Sequence, residues 1–121
     1  MKKVLLVIIT ILLITGCESS NSGVKPGMIS CKEKEEVMSI EGSILIDVRT
    51  LEEYNEGHLD GAINIPYDVI ESTIDNYTDI KKDTNIVIYC RSGNRSKKAY
   101  EILKKLGFTN IYDLGAITKC V

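Results

Sequence analysis

The sequence predicts a single α/β domain with a mostly parallel five-stranded sheet flanked by helices. Three observations carry that prediction. Short apolar runs alternate with helical patterns along the chain, as right-handed βαβ crossovers require. Two of the helices are announced by capping boxes, a hydroxyl residue followed three positions later by a glutamate. Beyond an apolar leader and a polar stretch, about 95 residues remain, enough for one modest core.

The elements follow in order. Met28-Ile29 is long enough only for a short edge strand. Ser30 and Glu33 form the first capping box, so a helix starts near Cys31 and runs through Val37 and Met38 to about Ile40, where Glu41-Gly42 closes it. Ile44 to Val48 is a continuous apolar run interrupted by Asp47, the pattern of a strand buried on both faces. Thr50 and Glu53 form the second capping box and open a short helix that Gly57 ends. Ala62 to Ile65 reads as the next strand, stopped by Pro66, which cannot donate to a ladder. A weak helical pattern runs through Val69, Ile70 and Ile74, and the polar Thr78 to Asn85 forms a loop before the strand Ile86 to Tyr89. A helix is expected from near Ser96, with Ala99, Ile102, Leu103 and Leu106 on one face and Gly107 as its stop. Ile111-Tyr112 is the last strand.

The first residues read differently. Lys2-Lys3 precede an apolar stretch from Val4 to Ile14 broken only by Thr10. A membrane span needs about 20 apolar residues, so this run suits the core of a signal peptide. It ends in Ile14-Thr15-Gly16-Cys17, which resembles the bacterial lipobox, whose cysteine is lipidated and becomes the new N-terminus. The expected organisation is a signal peptide over 1–16, a flexible tether over 17–27 with lipid on Cys17, and a folded domain over 28–121. The domain would then stand on the extracytoplasmic side of a bacterial cell membrane, held there by its lipid. Cleavage removes Lys2 and Lys3 from the 15 basic residues and none of the 17 acidic ones, leaving the domain mildly acidic. No basic stripe is present, and tyrosines and one phenylalanine are the only stacking residues, so no nucleic-acid partner is expected.

The chemistry concentrates in Cys90-Arg91-Ser92-Gly93-Asn94-Arg95-Ser96, which joins a buried strand to a helix. In such a turn successive backbone N–H groups converge as an anion nest, and the helix N-terminus adds positive potential. Two arginines add more. These features favour a thiolate, which is the nucleophilic form. The alternative is a buried strand-end cysteine beside a solvated basic loop. Ligands of open α/β sheets bind beyond the strand carboxyl ends, so Cys90 should share a rim with Asp47 and Arg49.

This loop resembles the active-site loop of the rhodanese-like sulfurtransferases. Ile44-Leu45-Ile46-Asp47-Val48-Arg49 with Glu52-Glu53-Tyr54, and Gly57-His58-Leu59-Asp60-Gly61-Ala62-Ile63-Asn64-Ile65-Pro66, resemble two further signatures of that family in the same order. The resemblance runs from about Met28 onward. It implies a sulfurtransferase in which Cys90 takes the outer sulfur of thiosulfate or a similar sulfane donor, holds it as a persulfide, and passes it to a thiol or cyanide. No cofactor or metal is expected. Arg91, Ser92, Gly93, Asn94, Arg95 and Ser96 would bind the anion, largely through backbone N–H groups. Gly93 would serve a turn needing positive φ.

Some roles remain open at this point. Arg91 either meets the donor's anionic end or is a solvated loop charge. Arg95 either completes the anion site or pairs with a rim carboxylate such as Asp47. Asp47 and Arg49 are rim supports or substrate contacts, and His58 is a hydrogen-bonded structural residue or a catalytic base. Rhodanese-like folds also include cysteine phosphatases and arsenate reductases, whose loops have five residues between cysteine and arginine; here four separate Cys90 from Arg95, which fits a sulfur atom and crowds a phosphate. Non-catalytic, partner-binding modules of the fold usually lose the cysteine. One departure concerns the tail, where the family continues from Asp113-Leu114-Gly115 through a second glycine, an isoleucine and a tryptophan, and this chain reads Ala116-Ile117-Thr118-Lys119-Cys120-Val121. In the rhodanese-like architecture the first strand lies beside the last. That would bring Cys31 near Cys120, either as a disulfide or as two separate half-buried thiols.

Overall fold

The structure, a computed structural model, describes residues 23–121. The expected signal peptide, Cys17 and the first part of the tether lie outside the described residues.

Five strands form one parallel sheet in the order β1 (Gly27–Met28), β5 (Ile111–Ala116), β4 (Ile86–Cys90), β2 (Ile44–Asp47) and β3 (Ile63–Asn64). Every pairing is parallel. The central strand β4 is buried at all its positions, which is why it reads as an unbroken apolar run. Its alternate residues face opposite sides. Ile86, Ile88 and Cys90 join the layer formed with Ala99 and Leu103 of α4 (Asn94–Lys105) and with Ile70 of α3 (Ile70–Thr73). Val87 and Tyr89 join the other layer, with Val37 of α1 (Cys31–Met38) and Tyr54 of α2 (Leu51–Glu56).

Both capping boxes form as the sequence prescribes. The Ser30 hydroxyl accepts from Glu33 N–H at 3.1 Å while Glu33 accepts from Ser30 N–H at 3.0 Å, and Thr50 with Glu53 repeats the arrangement for α2. The stop of α4 is a Schellman turn. Gly107 takes φ +96°, its N–H reaching Lys104 O and that of Phe108 reaching Leu103 O.

Several boundaries differ from the sequence reading. Val24, expected within the flexible tether, is buried in the second apolar layer, and Gly27 is part of β1; the packed domain therefore begins upstream of Met28. The helix expected from Ser96 begins at Asn94, because Gly93 in a left-handed conformation already turns the chain. Strand β5 extends past Tyr112 to Ala116, so the polar Asp113 lies inside a strand. The tail then forms a 3₁₀ turn, Ile117–Cys120, packed on the second layer and joined by a disulfide between Cys120 and Cys31, whose Cα atoms are 5.4 Å apart. Among the described residues no helix is long and apolar enough to cross a membrane.

Candidate functional site

Cys90 is the last residue of β4 and the only free cysteine among the described residues. The chain cannot continue as strand, because Gly93, at φ +103°, reverses it into α4. A Cβ there would come no nearer than 3.9 Å to Gly115 Cα, so the backbone angle, and not lack of space, is what selects glycine. This reversal brings the Gly93 N–H to 3.0 Å from Cys90 Sγ. Of the amides between Arg91 and Ser96, this is the one that donates to the sulfur among the described residues. Gly93 is also the N-cap of α4, and no side chain caps that helix. The positive end of the helix is therefore left to the loop. The thiol itself is 1% exposed, held at the edge of the first apolar layer.

Arg91, Ser92 and Asn94 are exposed, and Arg91 has no ion-pair partner among the described residues. Arg95 is committed elsewhere. It binds Glu53 through two contacts, Nη1 to Oε1 at 2.6 Å and Nη2 to Oε2 at 2.9 Å, fastening the first turn of α4 to α2. The expectation of a rim carboxylate as partner is met by Glu53 instead of Asp47, because Asp47 is already saturated. The Arg95 fork, backed by the Thr50 N–H and hydroxyl, lowers the Glu53 pKa to about 2.

That shift has a consequence for stability. A carboxylate depressed in the folded state contributes above its unfolded pKa, about 4.3, and loses the contribution as pH falls toward 2. The stability difference between wild type and Glu53→Gln is expected to be constant above about pH 5 and to shrink below it. Urea denaturation of both proteins across that range measures it; a difference independent of pH would contradict the pairing.

Asp47 and Arg49 pair with each other beneath the rim. Arg49 Nη2 lies 2.7 Å from Asp47 Oδ2, and Arg49 also donates to Gly57 O at 2.6 Å. Asp47 also accepts from the Tyr89 hydroxyl at 3.0 Å, and that hydroxyl accepts from Leu59 N–H at 3.0 Å. Asn64 closes the cluster by donating to the carbonyls of Asp47 and Arg49. The Asp47 hydrogen bond raises the Arg49 pKa, and burial raises that of Tyr89. These residues form a buried bracket joining the carboxyl ends of β2, β3 and β4. Asp47 and Arg49 are buried in it and engaged with each other, while Asn64 is partly exposed. His58 is exposed, stacks on Tyr54 at 3.8 Å between ring centroids, and bonds Tyr54 O through Nδ1 at 2.9 Å. It takes no part in the Cys90 loop.

The sequence reading missed Tyr89, Asn64 and Asp113. Tyr89 carried a usable signal, since it alternates with Cys90 and so must face the opposite layer, where its hydroxyl needs a partner. Two hollows flank the loop. One of 310 Å³ is bounded by Gly93, Lys97, Tyr100, Asp113 and Gly115, and one of 700 Å³ by Tyr67, Asp68, Asn94 and Lys98.

Known proteins resemble this chain in sequence and fold. The chain is 39% identical over 72 residues to the thiosulfate sulfurtransferase PspE of Escherichia coli, covering 60% of this chain and 68% of that protein. It is 34% identical over 97 residues to a tRNA uridine(34) hydroxylase of Buchnera aphidicola, covering 77% of this chain but only 31% of the hydroxylase. Among solved structures, an E. coli rhodanese with anions matches with 34% identity and a TM-score of 0.60, over 64% of this chain and 89% of that one. The human single-domain sulfurtransferase TSTD1 matches with 26% identity and a TM-score of 0.70, over 78% and 95%. With the rhodanese-like domain family matching residues 30–118, and with the five-stranded parallel sheet carrying a cysteine loop at the end of its central strand, the chain belongs to the rhodanese-like domain family.

Proposed function

We propose that the protein is a sulfurtransferase that carries sulfane sulfur on Cys90. The observation that carries this reading is the Gly93 N–H directed at Sγ from a glycine-turned loop at the open end of α4. The Cys90 thiolate attacks the outer sulfur of thiosulfate; the new S–S bond forms as the old one breaks, and sulfite leaves with the bonding pair. A thiolate or cyanide then attacks the outer persulfide sulfur and returns Cys90 to thiolate, so no external oxidant or reductant enters the cycle. The N–H and helix end stabilise negative charge on Sγ when it is the leaving group. Similarity to the thiosulfate sulfurtransferase PspE supports the donor class. Treating the protein with thiosulfate is expected to add the mass of one sulfur atom, and cyanide to remove it. Hydrolysis of phosphate esters without sulfur uptake would replace this reading with the phosphatase one.

The single unpaired cation on the loop is Arg91, and its guanidinium fits the sulfonate oxygens of thiosulfate. Arg91→Ala is expected to raise the KM for thiosulfate about tenfold while leaving thermal stability within about 0.5 kcal/mol, because the side chain is exposed. An unchanged KM would make Arg91 a solvated charge.

A compartment follows from the same proposal. A Cys31–Cys120 disulfide suits an oxidising environment, which agrees with export and with lipid on Cys17. A diacylglyceryl group supplies two chains and therefore stable anchoring. Detergent partitioning and intact mass should show a lipidated chain beginning at Cys17, with Cys17→Ser moving to the aqueous phase; an unlipidated wild type would overturn the anchor.

A further inference from the structure

We propose that Lys119 is a second donor-binding cation, delivered to the Cys90 rim by the disulfide-fastened tail, and that it makes the site select doubly charged sulfane donors such as thiosulfate over singly charged ones. This rests on the sulfurtransferase reading and adds the substrate class.

The placement begins in the sheet. Strand β5 takes one extra residue at Leu114, so that Tyr89 pairs with Gly115 and Cys90 with Ala116. The chain beyond Ala116 therefore leaves the sheet beside the chain beyond Cys90, at the strand ends where open α/β sheets bind ligands. Two neighbouring strands each send a cation to that rim. Arg91 follows β4, and Lys119 follows β5 in the 3₁₀ turn.

The turn is fixed on both sides of Lys119. Ile117 packs on the second apolar layer, and Cys120, the next residue, is bonded to Cys31 at the start of α1. From there the lysine side chain folds back over the end of β5. Its Nζ lies 3.6 Å, and its Cε 3.9 Å, from the point that a Cβ on Gly115 would occupy, and Gly115 Cα is in turn 3.9 Å from the corresponding point on Gly93. One glycine thus separates the ammonium from the residue whose N–H meets Cys90 Sγ.

No carboxylate pairs with this ammonium. Lys119 is exposed and forms no ion pair among the described residues. Burial raises the Asp113 pKa and the Lys119 charge opposes that rise, but the two groups stand beyond ion-pair distance. A cation without a counter-ion beside an anion-binding loop draws in anions, and adding it to Arg91 favours a donor with two negative charges over a donor with one.

The test compares thiosulfate with methanethiosulfonate, a singly charged donor whose outer sulfur is taken by the same attack, with sulfinate leaving in place of sulfite. Lys119→Gln is expected to raise the KM for thiosulfate about fivefold with kcat within about twofold, and the KM for methanethiosulfonate by no more than about twofold. Lys104→Gln, which removes the same charge from the last turn of α4, should change neither. Binding is read separately in the Cys90→Ser protein, which holds thiosulfate without reacting. There the Kd for thiosulfate, followed by the nuclear magnetic resonance shifts of the Gly93 and Gly115 amides, should also rise about fivefold on Lys119→Gln. Unchanged KM and Kd, an equal loss for both donors, or the same loss from Lys104→Gln would overturn the proposal. A weakened Kd with no sulfur uptake by the wild type would keep the cation site and discard the sulfurtransferase reading.

Discussion

Cys90→Ser is expected to take up no sulfur from thiosulfate and to make no thiocyanate, a loss of at least about four orders of magnitude in turnover. The hydroxyl that replaces the thiol ionises far less readily and forms no stable bond to sulfane sulfur. Structure should survive the change. The side chain is 1% exposed, the oxygen is smaller than sulfur, and it can still accept from Gly93 N–H, so stability should move by no more than about 1 kcal/mol. Intact mass before and after thiosulfate, together with far-ultraviolet circular dichroism, decides it. Full sulfur transfer by a folded Cys90→Ser protein would remove Cys90 from the mechanism.

The second large effect concerns the tail. The disulfide between Cys31 and Cys120 closes a loop with a sequence separation of 89. On the chain-entropy account, a loop of that size restricts the unfolded chain by roughly 4.6 kcal/mol, a large part of the roughly 5 to 15 kcal/mol that stabilises an ordinary domain. The bond also ties the first residue of α1 to the turn that follows β5. The covalent link holds this segment beside the second apolar layer. The double variant Cys31→Ser/Cys120→Ser is expected to unfold at a markedly lower denaturant concentration, with a steeper dependence on denaturant because its unfolded state is less compact. Wild type in reductant should follow the double variant. Equal midpoints for all three would show that the tail is held by packing alone.

Much of this could be read from the sequence because it is encoded locally. The boxes Ser30/Glu33 and Thr50/Glu53 name helix starts within four residues, Gly107 names a stop, and Ile86 to Tyr89 names a central strand. Interactions between distant residues left no such trace. Glu53 fulfils its capping pattern and also serves Arg95, 42 positions away, a second use that spacing cannot reveal. Asp113 lies beyond the strand read at Ile111-Tyr112, yet β5 carries on past it and gives it a buried place where it accepts from Gly115 N–H. Val24 sits in a polar stretch, and only its packing beside Tyr112 distinguishes it from tether.

The order of the sheet has a consequence for biogenesis. Strand β1 has β5 as its sole neighbour, so Gly27 must wait for Tyr112, and Met28 for Asp113, before the edge can close. Pairings so far apart along the chain form slowly, since a large loop must be closed before any contact is gained. While the polypeptide emerges from the ribosome, its amino-terminal strand has nothing to join, and the strand that pairs with the end of β4 at Cys90 does not yet exist. Completion of the sheet around Cys90 is thereby coupled to synthesis of β5, and under the proposed export the domain would stay unfolded until that strand had followed the rest of the chain across.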